Sequence, residues 1–225
     1  YQNVSTGEIV DITGKGLEDI RDHIIRTPGD PYRTYDEDPL RILRCVRFAA
    51  RFGWEIEKET LAAMKAMVPR MSLLTPARIS EEFLKMLQDD RPAMAVELLC
   101  TIGAVEYVLQ EMPSNAAIRA LRTVASETSD LSIRLAALLC ESAMAYRTMD
   151  RLRLSVSEIS DVTFLIRSCS EILRWGTVTD SDIREMQYRC NIPERFDEVV
   201  LLAAALSDGD PKVMEISLRS KVMMG

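Results

Sequence analysis

The chain has 225 residues, of which 47% are hydrophobic, and it carries a formal net charge of −7 at neutral pH. This length allows one large or two small domains with a substantial core. An acidic chain is a poor general binder of nucleic acid, although a local basic groove stays possible. No run of about 18 apolar residues occurs, and residues 1–20 are polar, so neither a membrane span nor a signal peptide is predicted.

Cysteine and histidine usage argues against a metal site. The cysteines are widely spaced without a CxxC pair, and His23 is the single histidine. This pattern does not predict zinc binding, and His23 is interpreted as an ordinary surface or boundary residue. The cysteines are predicted to be reduced core residues of an intracellular protein, which applies to Cys45, Cys100, Cys140, Cys169 and Cys190.

The first 12 residues, YQNVSTGEIVDI, alternate weakly around an STG turn. They are typical of the end of a sheet-containing domain whose beginning lies outside this sequence, and a start at Tyr1 agrees with a fragment, a processed product or part of a longer chain. Gly14 and Gly16 follow and permit unusual backbone angles, with a short helix predicted from Leu17. A Gly-x-Gly pair alone is weak evidence for phosphate binding.

Residues 36–53, DEDPLRILRCVRFAARFG, contain Asp38, Arg41, Arg44 and Arg47 at every third position. They predict a helix that begins near Asp36 or Glu37 with Pro39 in its first turn. A carboxylate one turn before a guanidinium offers an acceptor and a donor fork that can read the edge of a base, and further arginines can meet phosphates. A solvated charged face is the alternative interpretation. The opposite side is apolar, so the helix is predicted to form one wall of a cleft.

Further helices are predicted from apolar periodicity and turn residues. Thr75 is predicted to cap one of them, with Pro76 at its first position. The predicted helical ranges are 58–68, a helix from 76, a pair within 91–112 broken at Gly103, 114–125, 131–145, 156–175, 180–190 and 194–206. The predicted fold is therefore mainly α.

Three segments carry a resemblance to a known family. EDPLRILRCVRFAARFG resembles the neck helix of the class II tRNA nucleotidyltransferases (CCA-adding enzymes) and bacterial poly(A) polymerases. Upstream, the spacing D-x-x-G-x-G-x-x-D is similar to that family's joint between catalytic head and neck, and downstream TPARISEEFLKML is similar to its next motif. The joint is matched by Asp11, Gly14, Gly16 and Asp19.

The resemblance implies helical neck and body domains preceded by a remnant of an α+β nucleotidyltransferase head. Residues 1–30 would be the end of the head and the hinge, 31–90 the neck and 91–225 the body and tail. Asp38 and Arg41 would hydrogen-bond to the base of CTP or ATP, and Arg44 and Arg47 would complete the nucleotide pocket. Arg78 and Lys85 would contact nucleotide or RNA, or would have a structural role.

The implied function is part of an enzyme that adds C, C and A to a tRNA 3′ end. The partners would be tRNA, CTP and ATP, without a membrane. The resemblance implies that magnesium would be bound by carboxylates of the head. Asp36, Glu37 and Asp38 are not expected to bind a metal, because helix geometry disperses adjacent side chains around the axis. No catalytic residue is therefore assigned within this sequence, and the chain alone is predicted to be inactive.

Two alternatives stay open on the sequence alone. The first is a poly(A) polymerase or a relative that adds only CC or only A. The second is a non-catalytic helical subunit that binds RNA or protein partners. An intracellular location, cytoplasmic and/or mitochondrial, is expected in each case.

Overall fold

The computed structural model describes residues 4–7 and 10–224. Almost all regular structure in these residues is helical, which confirms the prediction of a mainly α fold. The first 12 residues, predicted to be the end of a sheet-containing domain, include residues 1–3 and 8–9, which lie outside the described residues. Residues 4–6 form a turn. None of the described helices is both long and apolar enough to cross a membrane.

The helices follow one another with short connections. Their bounds are α1 Gly16–Arg21, α2 Pro31–Glu37, α3 Leu40–Phe52, α4 Lys58–Met67, α5 Pro76–Gln88, α6 Pro92–Ile102, α7 Val105–Leu109, α8 Asn115–Glu127, α9 Leu131–Leu139, α10 Ala145–Arg151, α11 Val156–Arg174, α12 Asp180–Cys190, α13 Pro193–Leu206 and α14 Pro211–Met224. A 3₁₀ helix, Val68–Leu73, joins α4 to α5. Strands β1 (Ile24–Ile25) and β2 (Glu55–Ile56) pair in parallel.

The prediction that one helix begins near Asp36 or Glu37 is wrong about where that helix starts. Two helices meet there: α2 ends at Glu37, and α3 begins at Leu40. Asp38 between them is extended, with φ −149° and ψ 97°. The cause is Pro39, whose ring disfavours the helical conformation in the preceding residue. The Asp38 carboxylate accepts a hydrogen bond from the Leu40 backbone N–H (3.2 Å), so it stabilises the start of α3.

The prediction of one continuous helix over residues 131–145 is also wrong in its last part, because α9 ends at Leu139 and α10 begins at Ala145. Ser142 lies in the break. Its hydroxyl donates to the Glu111 carboxylate and accepts from the Met144 backbone N–H. Such local side-chain bonds compete with helical ones. Thr75 does occupy the N-cap position of α5, but its side chain makes no capping hydrogen bond.

One continuous apolar core joins the helices from α2 to α14, with buried members from Tyr35 to Ile216. Helix α3 contributes a completely apolar inner face and packs on α5 and α6. The cysteines are free, as predicted; Cys45, Cys169 and Cys190 are buried, and Cys100 and Cys140 are partly buried. The core therefore fixes which face of α3 remains at the surface.

Arg134 of α9 is a buried cation that joins the ends of two other helices. Its guanidinium donates to the carbonyls of Leu87 (2.6 Å) and Asp89 (2.9 Å) at the end of α5. It also donates to the carbonyls of Ala125 (3.2 Å) and Thr128 (2.9 Å) at the end of α8. Helix C-termini leave carbonyls without helical partners and carry partial negative charge, so these contacts satisfy both ends.

Candidate functional site

The outer face of α3 carries the arginines that the sequence singled out. Arg41, Arg44 and Arg51 have about half of their side chains exposed, whereas Arg47 is only 14% exposed. The inner face is formed by Leu40, Ile42, Leu43, Cys45, Val46, Ala49 and Ala50, all buried. The amphipathic pattern therefore orients a row of guanidinium groups outward from a rigid helix.

Asp38 lies at the N-terminal end of this row. Its carboxylate accepts from Nη2 of Arg78 on α5, at 3.1 Å and 3.3 Å. Arg41 begins the helical row one turn later, and its backbone N–H donates to the Asp38 carbonyl (3.1 Å). The Arg41 guanidinium contacts the Thr34 carbonyl (3.4 Å) and the Glu37 carboxylate (3.8 Å). Asp38 and Arg41 are thus neighbours at the end of α3, and each already has a partner within the protein.

Arg44 and Arg47 share one buried carboxylate. Glu82 of α5 is 3% exposed, and its two oxygens accept from Nε of Arg44 (3.3 Å) and Nε of Arg47 (3.0 Å). Arg47 also lies 4.4 Å from the centre of the Phe48 ring. A buried carboxylate between two guanidinium groups restricts their rotamers and offsets their mutual repulsion. Glu82 therefore orients the second half of the arginine row.

The sequence interpretation missed Glu82, although a signal was present. Residues 79, 83 and 86 are apolar, and helical spacing places residue 82 on the same face. A carboxylate within an apolar stripe must have a cationic partner, because an unpaired buried charge is costly. The identity of that partner depends on tertiary contacts that the sequence pattern does not contain.

Arg78 and Lys85 occupy different surroundings on α5. Arg78 joins α5 to the start of α3 through Asp38, which agrees with the structural alternative for this residue. Lys85 pairs with Glu81 on its own helix (2.7 Å), and this contact lowers the pKa of Glu81. The Lys85 ammonium also lies 3.9 Å from Glu82, at the edge of the shared pair.

The segment matched to the hinge motif is an ordered turn. The Asp11 carboxylate accepts from the Thr13 hydroxyl (2.7 Å) and from the backbone N–H groups of Gly14 and Leu17, and these bonds lower the pKa of Asp11. Gly14 has φ +69°, and a Cβ on Gly16 would lie 3.1 Å from the Asp11 carboxylate. Asp11, Gly14 and Gly16 are therefore brought together around the start of α1.

Asp19, the last residue of that motif, makes a different contact. Its carboxylate accepts from Nε of Arg26 at 2.9 Å, which raises the pKa of Arg26. Arg26 also lies 3.7 Å from the Glu57 carboxylate, so it links α1 to the start of α4. A cleft of about 580 Å³ lies beside these residues, away from Asp38 and Arg41.

The three consecutive acids at the end of α2 do not fit a metal ion. Asp36 pairs with Arg70 (2.8 Å), Glu37 with Arg33 (2.9 Å) and Asp38 with Arg78. Each carboxylate faces a different cation, whereas magnesium needs oxygen ligands that converge. Across residues 4–7 and 10–224, no group of three or more His, Cys, Asp or Glu side chains lies together as metal ligands would.

Comparison with known proteins identifies relatives along the chain. Residues 53–115 match a family described as "Probable RNA and SrmB-binding site of polymerase A". The CCA-adding enzyme of Bordetella bronchiseptica is 31% identical over 211 residues, which are 91% of this chain and 56% of that enzyme. Poly(A) polymerase I of Escherichia coli is 39% identical over 100 residues, which are 44% of this chain and 21% of that protein. The chain thus spans about half the length of the Bordetella relative.

A solved structure supports the fold. A tRNA nucleotidyltransferase complexed with a primer tRNA and an incoming ATP analog superimposes with a TM-score of 0.75 at 19% identity. The superposition covers 99% of this chain and 69% of that one. The sequence relatives and the shared helical fold agree with the resemblance in the neck helix, and together they support a helical body region of the CCA-adding enzyme and poly(A) polymerase family.

Proposed function

We propose that this chain is the nucleotide-selecting and tRNA-holding part of a CCA-adding tRNA nucleotidyltransferase. The observation that carries the proposal is the outer face of α3, where Asp38 and Arg41 lie at one end and Arg44 and Arg47 follow. Glu82 holds these last two in place from behind. The row combines a hydrogen-bond acceptor and planar donor groups, which can bind a base, with positive charge, which can bind a triphosphate.

Base selection follows from the hydrogen-bonding edges of the nucleotides. Cytosine and adenine both have an amino group beside a ring nitrogen, so Asp38 can accept from either base while Arg41 donates to the ring nitrogen. Uracil and guanine present carbonyls on this edge, which leaves Asp38 facing another acceptor. Such a mismatch costs about 1–3 kcal/mol, enough to separate the two classes of base.

Magnesium and the carboxylates that hold it belong, in this proposal, to the part of a nucleotidyltransferase head that lies outside residues 1–225. Residues 1–30 would be its end and the hinge, 31–90 the neck and 91–225 the body and tail. The ion would offset the triphosphate charge at the bond that is broken. Within this chain, Arg44 and Arg47 would bind phosphate oxygens, and catalysis by the chain alone is not expected. We place the protein inside the cell, in the cytoplasm and/or the mitochondrion.

The test of this proposal compares Asp38→Ala and Arg41→Ala with wild type in the intact enzyme. We expect both variants to lose much of the preference for CTP and ATP over UTP and GTP, measured as ratios of kcat/KM with a tRNA that lacks CCA. Arg122→Ala is the matched control, because Arg122 is an exposed, ion-paired arginine on α8. If the preference survives both site changes, Asp38 and Arg41 do not select the base.

A second candidate function is supported by the poly(A) polymerase I relative, which is 39% identical over its matched residues. The α3 face suits ATP in either reaction, so this region does not separate the two. Supplying CTP and ATP, first separately and then together, to a tRNA without CCA resolves them. Addition of two C residues from CTP alone, followed by one A only when both nucleotides are present, supports the first proposal, and repeated addition of A from ATP alone supports the second.

A further inference from the structure

Four aromatic side chains form a continuous row beside the arginine face, and we name this row the aromatic ladder. Phe48 and Phe52 are parallel within 7°, with ring centres 6.0 Å apart. Phe52 lies 5.2 Å from Trp54, and Trp54 stacks on His23 at 5.3 Å. The ladder is thus Phe48, Phe52, Trp54 and His23, in spatial order.

Local backbone structure builds the ladder. Phe48 and Phe52 are one turn apart on α3, which places them on one face. Gly53 then ends the helix with φ +69°, and the Trp54 backbone N–H bonds back to the Ala49 carbonyl (3.0 Å). This reversal sets the Trp54 ring against Phe52. His23 lies immediately before β1, and its carbonyl accepts from the Glu55 backbone N–H of β2 (3.1 Å), which brings the His23 ring to Trp54.

Three of the four rings in the ladder are exposed, and Trp54 is partly buried. Phe48 is 38% exposed and Phe52 48%, and His23 is also exposed. Two arginines lie beside the ladder: Arg47 is over the Phe48 ring and also pairs with Glu82, and Arg51 follows Phe48 by three positions on α3 and lies 3.7 Å from Asp89. The surface therefore alternates rings with guanidinium groups.

This alternation suits unpaired nucleic acid. Bases stack on aromatic rings, while arginines meet the phosphates between them. In a duplex the base faces are already stacked, so they are not free for the rings. Because a helix rises about 1.5 Å per residue, Phe52 lies roughly 16 Å along α3 from Arg41. We infer that the aromatic ladder is a stacking platform for the unpaired 3′-terminal nucleotides of RNA, an inference that rests on the proposed function.

The test uses the 225-residue chain with Trp175→Phe, which leaves Trp54 as the single tryptophan. A short single-stranded RNA ending in CC is added without any nucleoside triphosphate. We expect the RNA to quench Trp54 fluorescence, and a duplex of the same sequence without overhangs to quench it little. In this background Phe52→Leu should weaken binding about tenfold, since one base–aromatic contact is lost.

Two further variants distinguish stacking from damage to the fold. Phe52→Tyr retains a ring and should retain binding. Tyr188→Leu removes an exposed aromatic residue of α12 and should also leave binding unchanged. Absence of quenching by single-stranded RNA, equal binding of the duplex, or equal loss in Phe52→Tyr and Phe52→Leu would each overturn the inference, and the ladder would then be a surface for protein packing.

This assay is independent of base selection. Asp38→Ala should leave RNA binding to the ladder unchanged, because Asp38 lies at the opposite end of α3. A loss of nucleotide preference without a change in RNA binding would therefore report on the proposed function alone. Loss of RNA binding in Phe52→Leu with intact nucleotide preference would report on the ladder alone.

Discussion

Glu82 shows how a single buried residue can determine the geometry of an exposed surface. Its carboxylate receives one hydrogen bond from Arg44 and one from Arg47, and it is nearly inaccessible to water. Without it, two guanidinium groups on the same helix would repel each other and adopt other rotamers. The rotamers of Arg44 and Arg47 therefore depend on the buried Glu82 carboxylate.

We predict that Glu82→Gln lowers the free energy of unfolding by about 1–3 kcal/mol, because a buried partner of two cations loses its charge. The partial exposure of Arg44 keeps the effect below that of a fully buried pair. Urea denaturation of the chain measures it. In the intact enzyme the same change should raise KM for CTP and ATP more than it lowers kcat.

Glu81→Gln is the matched control for this prediction, since Glu81 is the preceding residue and pairs with Lys85 at the surface. Its effect on the free energy of unfolding should be much smaller than that of Glu82→Gln, because the pair is exposed to solvent. Equal destabilisation by the two changes would contradict the role given to Glu82.

At the residue scale, the sequence identified the exposed arginines but not their partners. The period of three in Arg41, Arg44 and Arg47 is visible in the chain itself. The pair between Asp38 and Arg78 joins residues 40 positions apart, and Glu82 is 35 positions from Arg47. Such contacts depend on how α5 packs on α3, which no local pattern specifies.

At the element scale, Arg134 links the C-terminal ends of α5 and α8. Replacing it would leave several carbonyls without their donor, and the Leu87 carbonyl among them accepts a buried hydrogen bond. We predict that Arg134→Met lowers the free energy of unfolding by about 2–4 kcal/mol, measured by chemical denaturation.

Arg119→Met is the control for Arg134, because Arg119 is an exposed arginine of α8. It should change the stability by less than about 0.5 kcal/mol. A loss in Arg119→Met as large as that in Arg134→Met would show that any arginine in this region matters equally.

Long helices with regular apolar spacing were predictable, and the junctions were not. The ranges predicted for α11, α12 and α13 agree closely with the structure. The break at Asp38 could have been predicted from Pro39, whereas the gap between α9 and α10 depends on the distant residue Glu111. Short helices such as α2 lack the length that makes a period recognisable.

At the scale of the whole molecule, the apolar core is continuous from the proposed neck into the proposed body. Two regions that share a core unfold together when the shared contacts hold both. Trp54 reports on the first region, and Trp175, at the end of α11, reports on the second.

We therefore predict one cooperative unfolding transition. Trp54→Phe and Trp175→Phe each leave a single tryptophan, whose fluorescence follows one region in urea. The loss of helix in each variant is also followed by circular dichroism, at a wavelength that reports on helix content. The fluorescence midpoint should coincide with the circular dichroism midpoint in both variants, and two separated midpoints within one variant would show independent domains.

The fold class was predictable because helical periodicity recurs along most of the chain, and the neck motif supplied the family. The arrangement of the helices relative to one another was not predictable, since the connections do not specify which helices become neighbours. The net charge of −7 also described the molecule only on average. It is the segregation of arginines on α3 that gives one face a character opposite to the whole.

In the proposed site, the pairing of Asp38 with Arg78 has a consequence for how a nucleotide is exchanged. A base that takes up the Asp38 carboxylate must compete with this internal partner. Cytosine and adenine both take up the carboxylate, so the free energy needed to separate the pair is the same for both and cancels from the ratio of their affinities. The internal pair thus weakens retention of CTP and ATP alike, and it re-forms when the base departs. A site that must release one of these nucleotides before accepting the other would therefore gain a short residence time without favouring either of them.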